Sequence, residues 1–210
     1  MTKLEEIIAK LLLQIKAIKL EPTSPFTWAS GWNSPIYCDN RKSLSYPEAR
    51  NIIKNEFARI VLDCFPDTEV IAGVATGAIA HGALVADKLG LPFIYVRSGS
   101  KKHGLGNLIE GEFQAGNKVI VIEDLVSTGG SSLAAVEALR NSGCLVSNML
   151  SIFTYGFPVA ENNFNNSGCK LFSLTNYETI IKIAIESGYI NESDRITLEN
   201  WRQDPSIWNK

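Results

Sequence analysis

Val119-Ile120-Val121-Ile122-Glu123-Asp124-Leu125-Val126-Ser127-Thr128-Gly129-Gly130-Ser131-Ser132 is the stretch that decides the fold of this chain. Four consecutive β-branched apolar residues followed by loop chemistry predict a strand buried on both faces, as in the centre of a parallel sheet. Glu123 and Asp124 follow at once, where such a sheet places its ligands, in the crevice beyond the carboxyl ends of the strands. The small residues from Ser127 onward then open a helix. Backbone N–H groups there can approach an anion at the positive end of the helix dipole, which makes a phosphate cradle.

Two carboxylates beside a bound phosphate repel it unless they address hydroxyl groups or a metal ion. A phosphorylated sugar meets both demands, with Glu123 and Asp124 on the ribose hydroxyls and Thr128 to Ser132 around the 5-phosphate. The run lacks the Gly-Lys-Ser/Thr of a P-loop and the Gly-x-Gly-x-x-Gly of a dinucleotide site.

Outward from this stretch the pattern alternates. Residues 69–74 read as a strand, 77–89 as a helix stopped by Gly90, 92–97 as a strand, 131–141 as a helix ended by Gly143, and 145–154 as a strand. A strand over 170–174 and a helix over 177–187 follow. An α/β fold with a doubly wound, mainly parallel sheet is expected. Before it, residues 2–18 carry apolar residues at helical spacing with Thr2 and Glu5 as a capping box. A second helix starts near Pro47, with Ser45 and Glu48 as its box. The segment 26–41 between them mixes aromatics with turn formers and reads as a hairpin over one end of the core. Trp201 and Trp208 anchor the tail on the core.

The chain has 210 residues and a net charge of −2. One domain fits that length, and the charge offers no general attraction to nucleic acid or to an anionic membrane. No apolar run reaches the roughly 18 to 20 residues of a membrane span, and the first residues lack a signal-peptide core, so a cytoplasmic protein is expected. Cys38, Cys64, Cys144 and Cys169 form no Cys-x-x-Cys pair, and His81 and His103 are the only histidines. No protein-built metal site is expected from such a set, and His81 reads as a packed or capping residue.

The central run closely resembles the phosphoribosyl pyrophosphate (PRPP) motif of the type I phosphoribosyltransferases. Three further segments resemble one branch of them, the orotate phosphoribosyltransferases. These are Ser30-Gly31-Trp32-Asn33-Ser34-Pro35 with Tyr37 behind it, the basic glycine-rich 98–107 with Lys101 and His103 after Arg97, and the ending Trp201-Arg202-Gln203-Asp204-Pro205-Ser206-Ile207-Trp208. The turn Gly73-Val74-Ala75-Thr76-Gly77-Ala78 is similar to the family's pyrophosphate-contacting loop.

The resemblance covers nearly the whole chain. It implies the type I fold with a small hood from residues 1–45 and part of the C-terminal segment. The implied reaction is transfer of the phosphoribosyl group from PRPP to orotate, with Mg²⁺ bound mainly through PRPP. It also implies a homodimer whose mobile 98–107 loop serves the neighbouring subunit.

By the same resemblance Lys101, His103 and Asp124 are the catalytic residues. PRPP would be held by Arg97, Lys101, His103, Glu123, Asp124, Leu125, Val126, Ser127, Thr128, Gly129, Gly130 and Ser131, and orotate by Ser127 and Tyr37. Relatives carry lysines where Ala29, Gly77 and Ser98 stand, and an orotate-reading arginine near Tyr155-Gly156, which leaves Arg41 as a candidate for the carboxylate. Two alternatives stay open: a phosphoribosyltransferase for another base such as adenine, and a non-catalytic PRPP-binding regulator on the same fold.

Overall fold

A computed structural model describes residues 2–27, 31, 33–97, 99, 108–205 and 208. In chain order the elements are α1 (Lys3–Gln14), β1 (Ile18–Leu20), β2 (Phe26–Thr27), β3 (Asn33–Ser34), β4 (Ile36–Cys38), a 3₁₀ helix (Asn40–Ser45), α2 (Pro47–Cys64), β5 (Val70–Val74), α3 (Ile79–Leu89), β6 (Phe93–Val96) and β7 (Ile109–Glu110). Then come β8 (Lys118–Val126), α4 (Gly130–Asn141), β9 (Leu145–Thr154), α5 (Pro158–Ser167), β10 (Lys170–Asn176), α6 (Tyr177–Glu186), the 3₁₀ turn Glu192–Asp194 and α7 (Arg195–Gln203).

The main sheet has the order β10-β9-β8-β5-β6-β7. All its neighbours pair in parallel except β7, which closes the β6 edge antiparallel. The chain works outward from β8 through β9 to β10 on one side and from β5 through β6 to β7 on the other. The order therefore reverses between β5 and β8, and loops leaving those two strands diverge around a crevice.

The β8 side chains account for its central place. Ile120 and Ile122 enter the core packed by α1, α2, α3 and α6, whereas Val119 and Val121 enter the second core under α4 and α5. A strand with no solvent face has to be apolar at every position, and residues 119–122 are at most 4% exposed.

The Thr2–Glu5 capping box forms as expected, with Glu5 N–H donating to Thr2 Oγ1 at 3.2 Å. Two expected boundaries move. The first helix stops at Gln14, because Lys16 takes φ +54° and Ile18 pairs with Cys38 as the start of a small antiparallel sheet. Ile18 is fully buried either way. The Ser45–Glu48 box does not cap α2. The residue before a proline is pushed out of the helical region, so Tyr46 (φ −112°, ψ 100°) becomes the cap position and Ser45 ends the preceding 3₁₀ helix.

Trp201 is fully buried among Tyr155, Phe157 and Tyr177, with ring centroids 5.6–5.7 Å away, and its indole N–H donates to the Asn33 carbonyl at 3.2 Å. The C-terminal helix thereby holds the β2–β3 segment against the core.

Candidate active site

β8 continues as a strand through Val126, so Glu123 and Asp124 stand on its last turns. Strand alternation sends them to opposite sides. Glu123 is 4% exposed and accepts from Ser132 Oγ at 2.8 Å and from the Asp124 N–H at 2.9 Å. Burial, reinforced by the charge of Asp124, pushes the Glu123 carboxyl well above its ordinary range. Asp124 is also pushed upward by burial, against the hydrogen bond to Glu123 and the pull of Arg41.

Asp124 faces the turn after β5. A Cβ built on Gly77 would run into the Asp124 carboxylate, and one on Gly73 would lie 2.9 Å from the Ala78 carbonyl. These glycines let the turn and the carboxylate share one space. α3 begins at Ile79, two residues later than expected, so residues 75–78 form a loop in the crevice.

After Val126 the chain opens into the segment expected to be the cradle. Gly129 adopts φ +83° at the start of α4, and its Cα sits so close to Phe164 that a Cβ would approach the ring to 2.9 Å. Thr128, Gly130 and Ser131 are exposed and Ser127 half-buried. Leu133 is the first α4 residue whose N–H reaches back to Gly129, leaving the first-turn donors for a ligand. Ser132 departs from the expected cradle: it is buried, and its hydroxyl is committed to Glu123. Its place inside the first helical turn, facing the sheet, takes its hydroxyl away from the phosphate side and leaves only its backbone N–H among the first-turn donors. Leu125 packs on the first core and Val126 on the second, and the Val126 carbonyl accepts from Tyr155 N–H at 3.1 Å.

Tyr37 is 41% exposed, with its ring 5.6 Å from that of Phe26. Arg41 Nε donates to Asp39 at 2.6 Å while its charge reaches Asp124. Arg97, at the end of β6, pairs with Glu110 at 3.4 Å. Lys101, His103, Ala29 and Ser98 lie outside the described residues. His81 is a buried residue of α3, its Nε2 3.3 Å from Ser43 Oγ, and burial lowers it to about 4.

Two contacts carried no signal in the sequence. Asn163 Nδ2, from the unforeseen α5, donates to the Thr128 carbonyl at 3.0 Å. Asn40 Nδ2 donates to the Asp124 carbonyl at 2.6 Å across 84 residues. An asparagine-rich run has weak helix propensity, so the signals that mark α5 are Pro158 at its first turn, Gly168 as its left-handed C-cap and the packing of Ala160 and Phe164.

The described residues contain no group of three or more His, Cys, Asp or Glu able to hold a metal. The donors present, two carboxylates, suit a hard cation that brings most of its oxygen ligands with it.

Comparison with known proteins gives a concordant result. The phosphoribosyl transferase domain family matches residues 46–153. The orotate phosphoribosyltransferase of Bacteroides thetaiotaomicron is 60% identical over 208 residues, covering 99% of this chain and 98% of that protein. Its namesake from Phocaeicola vulgatus is 61% identical over the same shares. Among solved structures, the orotate phosphoribosyltransferase of Aeropyrum pernix superposes with a TM-score of 0.74 at 26% identity, covering 88% of this chain and 99% of that one. With a carboxylate pair at the sheet's switch point, a glycine turn facing it and this full-length similarity, the chain belongs to the phosphoribosyltransferase family, among its orotate phosphoribosyltransferases.

Proposed function

We infer that this enzyme transfers the phosphoribosyl group of PRPP to orotate, giving orotidine 5′-monophosphate and pyrophosphate in de novo pyrimidine synthesis. The observation that carries the reading is the buried Glu123–Asp124 pair at the end of the central strand, set between a glycine turn and an open helix N-terminus.

In the proposed chemistry a bond forms from an orotate ring nitrogen to ribose C1 as the C1–O bond to pyrophosphate breaks, and the proton of that nitrogen leaves with the pyrophosphate. The ribose becomes cationic on the way. Catalysis of such a step is positioning plus stabilisation of departing charge. Glu123 and Asp124 hold the ribose hydroxyls and favour the cationic sugar. Residues 127–131 hold the 5-phosphate through backbone donors, and the 75–78 turn faces the pyrophosphate. Arg97, Lys101 and His103 neutralise the leaving group. Tyr37 stacks on orotate, Ser127 contacts it, and Arg41 reads its carboxylate.

The Glu123–Asp124 carboxylates would help hold Mg²⁺ brought with PRPP, and the ion would supply neutralisation of the departing pyrophosphate charge. A hood of residues 1–45 with part of the C-terminal segment, a cytoplasmic location and a homodimer sharing the 98–107 loop complete the proposal. The hood is supported by the Trp201–Asn33 hydrogen bond; the dimer rests on the loop's resemblance.

The test follows orotate absorbance with PRPP and Mg²⁺, beside adenine, hypoxanthine and uracil. Consumption of orotate alone is expected. Turnover of another base in its place, or PRPP binding with no turnover of any base, would overturn the reading.

A further inference from the structure

β8 loses its partner on one side just before the site. Its pairing with β5 ends at Ile122–Gly73, while pairing with β9 continues through Glu123, Leu125 and Val126. Asp124 is thus the first residue of alternating register whose carbonyl faces the side that β5 has left. An unpaired main-chain carbonyl at the mouth of a cleft is free to tilt, and with it the carboxylate on the same residue.

Asn40 fills that place. It is 1% exposed, and its Nδ2 donates to the Asp124 carbonyl at 2.6 Å. The amide is held in one orientation, because the Cys38 thiol donates to Oδ1 at 3.4 Å and leaves Nδ2 for Asp124. The Asn40 carbonyl accepts from Ser43 Oγ at 2.6 Å, and Ser43 in turn meets His81 of α3, the helix that follows the glycine turn. On the other side of Asp124, its N–H is bonded to Glu123. Both ends of the Asp124 residue are therefore fixed, one by its acidic neighbour and one by Asn40.

We propose that Asn40 is a positioning residue of the transfer reaction: its amide stands in for the missing strand at Asp124 and, through the Cys38 thiol, ties that residue to β4, which carries Tyr37. This rests on the orotate reading above, in which Asp124 addresses the ribose and Tyr37 the base. The ribose and base subsites sit on different parts of the chain, and this relay is what keeps C1 and the attacking nitrogen in register. A group that acts only by alignment affects turnover more than ground-state affinity.

The experiment compares wild type with N40A, C38A and C38S, measuring kcat, both KM values and thermal melting. For N40A we expect kcat to fall by about tenfold or more with KM for PRPP and orotate within about threefold. C38A should lose a few-fold in kcat, roughly the cost of one weak hydrogen bond, and C38S, which restores a donor to Oδ1, should recover it. A folded N40A with wild-type kcat would overturn the proposal. Should N40A fail to fold, C38S performing no better than C38A overturns it equally. An inactive wild type would instead sink the orotate reading, so the two failures are distinct.

Discussion

The Asp124 carboxylate lies directly against the Cα of Gly77, in the space a side chain at that position would need. Two loops from different strands of the sheet therefore share one volume, and in the proposed reading that contact sets the spacing between ribose and pyrophosphate. Gly77→Ala should displace either the turn or the carboxylate. Overpacking of this kind costs about 1–3 kcal/mol, and the displacement should lower kcat/KM for PRPP by at least about tenfold. Steady-state kinetics at varied PRPP, with a melting curve, checks this; wild-type kinetics would mean that the turn yields freely.

Glu123 and Asp124 give the ligand-free protein a definite pH dependence. Both carboxyls are raised in the fold, chiefly by burial, so the folded protein retains protons that the unfolded chain releases. Their favourable contribution is complete below an ordinary carboxylate pKa of about 4 and is lost as pH rises through the raised values. Glu123→Gln removes one charge and keeps an acceptor for Ser132. It should raise the ligand-free melting temperature at pH 8 by about 2–4 °C per kcal/mol recovered, have little effect at pH 4, and depress activity. Melting curves at the two pH values decide it.

His81 works in the opposite sense. Its folded value of about 4 lies below the ordinary imidazole value of about 6.5, so its contribution is present above that and fades as pH falls toward 4. His81→Gln should flatten stability between pH 6.5 and 4. Urea denaturation at pH 7 and pH 4.5 measures the difference, and an unchanged slope would refute a neutral buried imidazole.

Trp201 joins the C-terminal helix to the segment ahead of Tyr37. Trp201→Phe keeps a buried ring and loses the hydrogen bond to Asn33, a cost of about 1 kcal/mol, whereas Trp201→Ala should cost about 3–5 kcal/mol. Because the proposed hood of residues 1–45 carries the base-binding Tyr37, Trp201→Phe should raise KM for orotate more than KM for PRPP. Initial rates with each substrate varied separately make that comparison.

Lys101→Ala should lower kcat by about 10²–10³-fold with little change in PRPP affinity, as expected of a cation that meets charge developing on the leaving group. Isothermal titration of PRPP beside single-turnover rates separates the two. Equal losses in both would assign Lys101 to substrate binding.

Much of the fold was legible along the chain because its signals are local. An apolar run such as 119–122 has one comfortable environment, between two helical layers, and the glycines at 90, 129 and 143 mark helix boundaries through φ values of +67°, +83° and +91°. Pro47 opening α2 was equally plain. Signals that depend on a partner misled. Ser45 had the right chemistry for a cap one residue too early, and Ile18 suited a helix as well as the strand that β4 made of it.

The site divides in the same way. The carboxylate pair, the open helix start after it and the glycine turn follow from residue types that backbone geometry and charge demand at consecutive positions, and the sequence alone determined them together with the alternating architecture and the family resemblance. What only the tertiary structure decided is which groups meet across long separations. Those are Asn40 under Asp124, Ser132 turned to Glu123, Asp124 against Gly77, and Trp201 beneath Asn33. Burial is the reason. A polar side chain removed from water must find a partner wherever packing brings one, and no rule of spacing along the chain says which partner that is.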